Sequence, residues 1–174
     1  AALAGFPVGA LAVSDEVSLT LMSKIRKQTD LDYTAEGKVA PIHPAHAVID
    51  TMLNLKRAGK LAGQGFYDYP QKGKKHLWLG LSDTFPSINK LPPLQELKDR
   101  LLYIMALETS RCLEEGVLNT VRDANIGSIF GIGFPAWTGG ALQFINHTGM
   151  RRFIERAEVL KNLHGSRFTP NTLL

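Results

Sequence analysis

Gly133-Phe134-Pro135-Ala136-Trp137-Thr138-Gly139-Gly140-Ala141-Leu142 repeats a stretch already met near the start of the chain, Gly5-Phe6-Pro7-Val8-Gly9-Ala10-Leu11. With a short gap after the Pro, Gly9-Ala10-Leu11 falls on Gly140-Ala141-Leu142, and Asp15 falls on Asn146. A loop that recurs with an apolar helical pattern behind it predicts two copies of one helical unit, packed as a pseudo-symmetric pair. Two further helical patterns, within residues 94–131, precede the second loop, whereas only Ala1 to Ala4, with no initiator Met, precede the first. The expectation is a piece of a longer chain: residues 1–80 a truncated first copy, 81–93 a linker, and 94–174 a second, degenerate copy.

Composition narrows the class. Of the 174 residues, 44% are hydrophobic and 21% charged, which suits a folded core and argues against disorder. A net charge of +4 is compatible with an anionic small-molecule partner such as a phosphorylated cofactor. The basic residues form no dense stripe interleaved with aromatics, so nucleic acid is not the expected partner. One cysteine, Cys112, allows no internal disulfide and suits a reducing cytosol. Residues 1–13 are apolar but too short for a bilayer, broken by Gly and Pro, and without the basic lead-in of a signal peptide. A soluble, cytoplasmic protein without a membrane span is expected.

Along the chain, Leu11, Val17, Leu21, Met22 and Ile25 recur at helical spacing and predict one helix over residues 10–28. Residues 29–42 read as irregular, and Pro44 as the start of a helix with Ala47, Val48, Met52, Leu53 and Leu55 on its apolar face. Phe66-Tyr67-Asp68-Tyr69 and His76-Leu77-Trp78-Leu79 predict one hairpin, its basic turn facing solvent. Pro86, Asn89, Pro92 and Pro93 punctuate the linker. The longest helix is predicted over residues 94–115, with Leu97, Leu101, Ile104, Met105 and Cys112 on one face and Gly116 as its stop. Thr120-Val121-Arg122-Asp123 reads as a capping box for a helix ending at Gly131. Helices over 141–146 and 150–163 follow, and Thr169-Pro170 marks the end of order. The fold class is mainly α with one small β-hairpin.

The run Arg122-Asp123-Ala124-Asn125-Ile126-Gly127-Ser128-Ile129-Phe130-Gly131-Ile132-Gly133-Phe134-Pro135, then Trp137-Thr138-Gly139-Gly140, resembles the C-terminal end of the bacterial fatty acid oxidation complex alpha subunit. That family joins an enoyl-CoA hydratase/isomerase domain to an L-3-hydroxyacyl-CoA dehydrogenase whose C-terminal region is two tandem helical domains. Gly5-Phe6-Pro7-Val8-Gly9 with Asp15-Glu16-Val17, and Gly59-Lys60-Leu61-Ala62-Gly63-Gln64-Gly65-Phe66-Tyr67, resemble its first copy; Gly165-Ser166-Arg167-Phe168-Thr169-Pro170 resembles its closing segment. The resemblance implies hydride transfer from C3 of a 3-hydroxyacyl-CoA to NAD, with a His base, an orienting Glu, and Ser and Asn holding the oxyanion. It places the His, Glu and Ser in an upstream Rossmann domain, so NAD would be bound there. Neither Gly63-Gln64-Gly65 nor Gly131-Ile132-Gly133 completes a dinucleotide-binding fingerprint. The Asn would precede residue 1, and in the second copy Asp99, followed by Arg100, stands in its place. An anion cannot donate to an oxyanion, so the second copy is expected to be structural. Implied partners are an acyl-CoA substrate, the upstream Rossmann and hydratase domains, and a thiolase subunit.

Gly5, Phe6, Pro7, Val8 and Gly9 are the candidate substrate-binding residues: small residues permit close backbone approach, Phe6 offers apolar contact, and the resemblance puts this loop over the acyl end of the substrate. A plain helix-to-helix turn explains the same residues. Glu108 reads as a carboxylate on the apolar face of the long helix, more simply explained by pairing with Arg111 or Arg122. His43 and His46 have metal-ligand spacing but no completing set, so capping or surface roles are favoured. Lys72, Lys74 and Lys75 are either contacts for CoA phosphates or ordinary exposed turn lysines, the latter preferred. Cys112 is expected in the core and Trp137 in packing between copies. No catalytic, cofactor or metal residue is assigned to this chain.

Overall fold

A computed structural model describes residues 1–87 and 91–174, and these divide into two compact units, Gly9–Asn89 and Ala1–Val8 with Lys90–Leu174. Asn89 of the expected linker lies outside the described residues. Among the described residues the architecture is mainly helical with one two-stranded antiparallel hairpin. No helix among the described residues is long and apolar enough to cross a membrane.

In the unit Gly9–Asn89, the first predicted helix is two. Helix α1 (Ala10–Val17) stops at Ser18, and α2 (Leu19–Ala35) runs well into the stretch expected to be irregular. Ser18 makes the corner with φ 80° and ψ 126°, a conformation an L side chain rarely adopts. Helical spacing continues across the corner, which is why periodicity alone misses it. Helix α3 (Ala45–Asn54) starts behind Pro44 as expected, and both Arg26 guanidinium ends donate to the Asp50 carboxylate at 2.9 Å, tying α2 to α3. Strands β1 (Tyr67–Asp68) and β2 (His76–Leu77) pair with Tyr67 opposite Leu77, and the short helix α4 (Leu81–Thr84) follows within the segment read as linker. The core is small: Leu19, Met52 and Phe66 are buried, with Val48, Trp78 and Phe85 packed on them.

The other unit is built on α5 (Leu94–Glu114), α6 (Val121–Ile132), α7 (Ala141–Thr148) and α8 (Met150–His164). Thr120 caps α6 as expected, its Oγ1 accepting from the Asp123 amide at 3.0 Å. The buried stripe of α5 is Leu102, Tyr103, Ala106, Leu107 and Ser110, not the predicted Leu97, Leu101, Ile104, Met105 and Cys112, of which Leu97 is 40% exposed. The Tyr103 ring stacks on Phe153 at 4.4 Å, and Phe144 sets its edge against both. Order does not end at Pro170: the Thr172 hydroxyl and the Leu173 amide donate to Glu114, and Arg111 donates to the Arg167 and Thr169 carbonyls at 2.9 Å. These contacts hold the Glu114 carboxyl below its usual range, led by the Thr172 hydroxyl.

The two units share one unusual corner. Gly149, between α7 and α8, has φ 86° and ψ 123°, nearly the values of Ser18 between α1 and α2. The positions correspond in the same frame that pairs Asp15 with Asn146. Glycine suits this conformation and serine does not, because its Cβ crowds the backbone. Ser18→Gly should therefore stabilise the chain by about 1 kcal/mol, read as a higher urea midpoint. An unchanged or lower midpoint would mean that the corner at Ser18 is not left-handed.

Candidate functional site

The candidate loop is not a free-standing flap. Gly5 closes a single 3-10 turn (Ala2–Ala4) with φ 95°, and a Cβ there would collide with the Trp137 indole. Phe6 sets its ring edge-on to buried Phe134 at 6.2 Å, and Pro7 lies beside Gly133. Val8 is exposed, and Gly9 takes an ordinary extended conformation as the residue before α1. The glycine requirement therefore falls on Gly5 alone. Trp137, expected to be packed away, is largely exposed.

The second loop shows what its polar residues do. Gly133 ends α6 in the left-handed conformation, a 3-10 turn (Ala136–Thr138) follows, and Gly140 at φ 114° delivers the chain into α7. The first amides of α7 meet two side chains from α6. Ser128 Oγ accepts from Ala141 N at 3.0 Å, and Asn125 Oδ1 accepts from Leu142 N and Gln143 N at 3.0 Å each. Thr138 Oγ1 accepts from Gly140 N at 3.1 Å. A helix N-terminus normally offers such donors to an anion, but here each is already satisfied. This loop is a structural joint.

A second constellation was missed from sequence. Asp15, given no structural role in the sequence reading, is 1% exposed. Its carboxylate accepts from Phe66 N at 2.8 Å, Tyr67 N at 2.9 Å and the Tyr69 hydroxyl at 3.0 Å. Gly65 has no room for a side chain because a Cβ would run into that carboxylate. Arg57 braces the same turn, donating to the Gly65 carbonyl at 2.7 Å and to Asp68 while its guanidinium lies 4.3 Å over Trp78. Burial, and then the bond to Asp15, push the Tyr69 phenol well above its usual value. The signal available in sequence was a charged residue inside an apolar helical pattern, followed by Gly63-Gln64-Gly65. Their pairing spans about fifty residues, which no local pattern connects.

The remaining candidates resolve simply. Asp99 is buried, accepting from Gln95 at 2.8 Å and from Arg156 at 2.7 Å, so this carboxylate is held in a salt bridge. Beside it, burial pushes the Tyr103 phenol up to about 12. Glu108 is exposed rather than on the buried face, and it pairs with Arg111 at 2.7 Å. His43 Nδ1 accepts from Ala45 N at 3.1 Å, a local capping contact. No group of three or more metal-ligating side chains occurs among the described residues. Lys72, Lys74 and Lys75 are exposed. Cys112 is half-buried rather than core, and it lines an apolar cleft of about 550 Å³ with Ile104, Met105, Leu118 and Ile132.

Residues 1–69 match the family model described as 3-hydroxyacyl-CoA dehydrogenase, C-terminal domain. The whole fold is similar to the crystal structure of the dehydrogenase part of multifunctional enzyme 1 from C. elegans, with a TM-score of 0.64 and 18% identity. That match covers 98% of this chain and 39% of the other, so the chain spans well under half the length of that structure. Residues 1–69 are thus similar to the C-terminal domain of 3-hydroxyacyl-CoA dehydrogenases.

The Asp15 geometry has a measurable cost. Asp15→Ala strands two backbone amides and a phenol, and should lose at least about 3 kcal/mol in urea unfolding. The two phenols add an alkaline limb. Their folded pKa values lie above the unfolded value, so the unfolded chain binds fewer protons once pH passes that value, and stability falls as pH rises. Tyr69→Phe should flatten this alkaline decline; an unaltered slope would refute the buried Tyr69–Asp15 contact.

Proposed function

We propose, taking the family match over residues 1–69 as premise, that this chain is the substrate-pocket and assembly region of an NAD-dependent L-3-hydroxyacyl-CoA dehydrogenase. The parent would act in fatty acid β-oxidation and be of the multifunctional hydratase/dehydrogenase type. The observation that carries this reading is the conjunction of that match with a fold similar over 98% of the chain to the dehydrogenase part of a multifunctional enzyme. In the parent, NAD bound by a separate Rossmann domain would accept the hydride. The residues here would supply shape: Phe6 and Val8 an apolar margin for the acyl chain, with Gly5 allowing close backbone approach. Acyl-CoA is the proposed substrate, and a thiolase subunit a proposed partner of the assembly.

The assembly role is supported by apolar surface without a role inside its own unit. On α6, Phe130 is 85% exposed and Ile126 and Ile132 about half exposed, beside the apolar cleft that Cys112 lines. In the other unit, Leu21 and Ile25 of α2 are similarly exposed. Patches of this kind mark surfaces that are covered in a larger assembly. An alternative, a helical assembly module without chemistry, is favoured by the saturation of the buried polar groups of both motifs with structural hydrogen bonds.

Two measurements test these readings, and the second separates them. Acetoacetyl-CoA with NADH and this chain alone should give no turnover above buffer, and measurable turnover would refute the inactive-fragment proposal. An antibody against this chain should detect in source-cell lysate a protein several-fold larger than 19.1 kDa. A band only at 19.1 kDa would favour the free-standing module.

A further inference from the structure

We infer that the unit Ala1–Val8 with Lys90–Leu174 binds a small aromatic carboxylate, its ring against Trp137 and its carboxylate on the Tyr103 hydroxyl. Two clefts adjoin there, of about 470 and 390 Å³, and Tyr103 and Thr148 line both. Each falls within the range of small-ligand cavities, roughly 300–1,000 Å³. The first is walled by Leu3, Leu102, Trp137 and Phe144. The second runs along α8, past Arg152 and Arg156. Phe6 and Val8, the proposed acyl margin, line neither, although Gly5 lines the first.

The Tyr103 hydroxyl carries the inference. The side chain is 5% exposed, and its ring is fixed by the stack on Phe153 and the edge of Phe144. Yet the hydroxyl makes no hydrogen bond among the described residues. A buried hydroxyl without a partner costs stability that a phenylalanine would not. Neighbouring Thr148 offers no proton either, because its hydroxyl donates to the Phe144 carbonyl at 2.8 Å. Burial pushes the phenol up to about 12, so at neutral pH Tyr103 is a donor fixed in the wall of both clefts.

Charge around this hydroxyl favours an anion. Lys98 lines the first cleft and Arg152 the second, and neither has an ion pair among the described residues. The two acids on the same walls are engaged. Asp99 accepts from Gln95 at 2.8 Å and from Arg156 Nε at 2.7 Å, and Glu155 pairs with Arg151 at 3.0 Å. A carboxylate accepts from a phenol and a guanidinium together. Trp137 supplies the preference for a ring. Its indole is 65% exposed yet held in place, since a Cβ on Gly5 would come within 2.4 Å of its Nε1. A flat ring stacks on such a surface, a gain that an alkyl chain lacks.

Calorimetric titration of 2-naphthoate into the full 174-residue chain tests this directly. Naphthoate should bind saturably, and more tightly than hexanoate, which carries the same carboxylate without a ring. Tyr103→Phe should weaken naphthoate about ten-fold, while its urea midpoint equals or exceeds the native one. Arg152→Gln, at an exposed position, should weaken naphthoate about five-fold. In heteronuclear NMR spectra naphthoate should move the indole N–H signal of Trp137 and leave that of Trp78. Absence of saturable binding, hexanoate as tight as naphthoate, unchanged affinity in either variant, or an unmoved Trp137 signal would each overturn the assignment. So would a lower midpoint for Tyr103→Phe, which would give the hydroxyl a role in the fold.

Discussion

One buried carboxylate organises the first half of this protein. Asp15 sits on α1 with its oxygens turned into the protein, and a carboxylate there would be costly without partners. Two backbone amides and a phenol satisfy it, and they come from the turn that Arg57 also braces. Gly65 is small because the carboxylate occupies its side-chain space, and Gly59 is small because the Asp15 backbone crowds it. From this clamp follow the placement of Phe66 in the core, the start of the hairpin, and the position of Trp78. Among the described residues the core cluster of this unit is Leu19, Met52 and Phe66, so polar anchoring adds to a small apolar core.

The second half meets a related requirement with different side chains. Its loop must turn sharply into α7, leaving amides that need acceptors, and Asn125 and Ser128 reach across from α6 to provide them. In both halves the polar residues described above are consumed by the fold.

How much of this could be read in the sequence depended on whether the relevant interaction was local. Helix existence, the Thr120 cap, the hairpin and the Pro44 start all follow from neighbouring residues, and the structure has them. Burial of a particular face does not. Helix α5 carries apolar residues on two stripes, and the stacking partner Phe153, some fifty residues away, decides that Tyr103 and its neighbours go inward. The corner at Ser18 left no trace because serine is an unexpected residue for a left-handed backbone. The candidate loop was legible as a repeated motif, but only geometry shows that Gly5 has a steric reason to be glycine while Gly9 has none.

Residue-resolved amide hydrogen exchange tests most directly whether the motif residues serve the fold. The amides of Phe66 and Tyr67, and those of Ala141, Leu142 and Gln143, should all exchange slowly, each released only when its own unit opens. Exchange at the rate of exposed loop amides would contradict the account, because it would leave the Asp15 carboxylate and the Asn125 amide oxygen without the donors assigned to them.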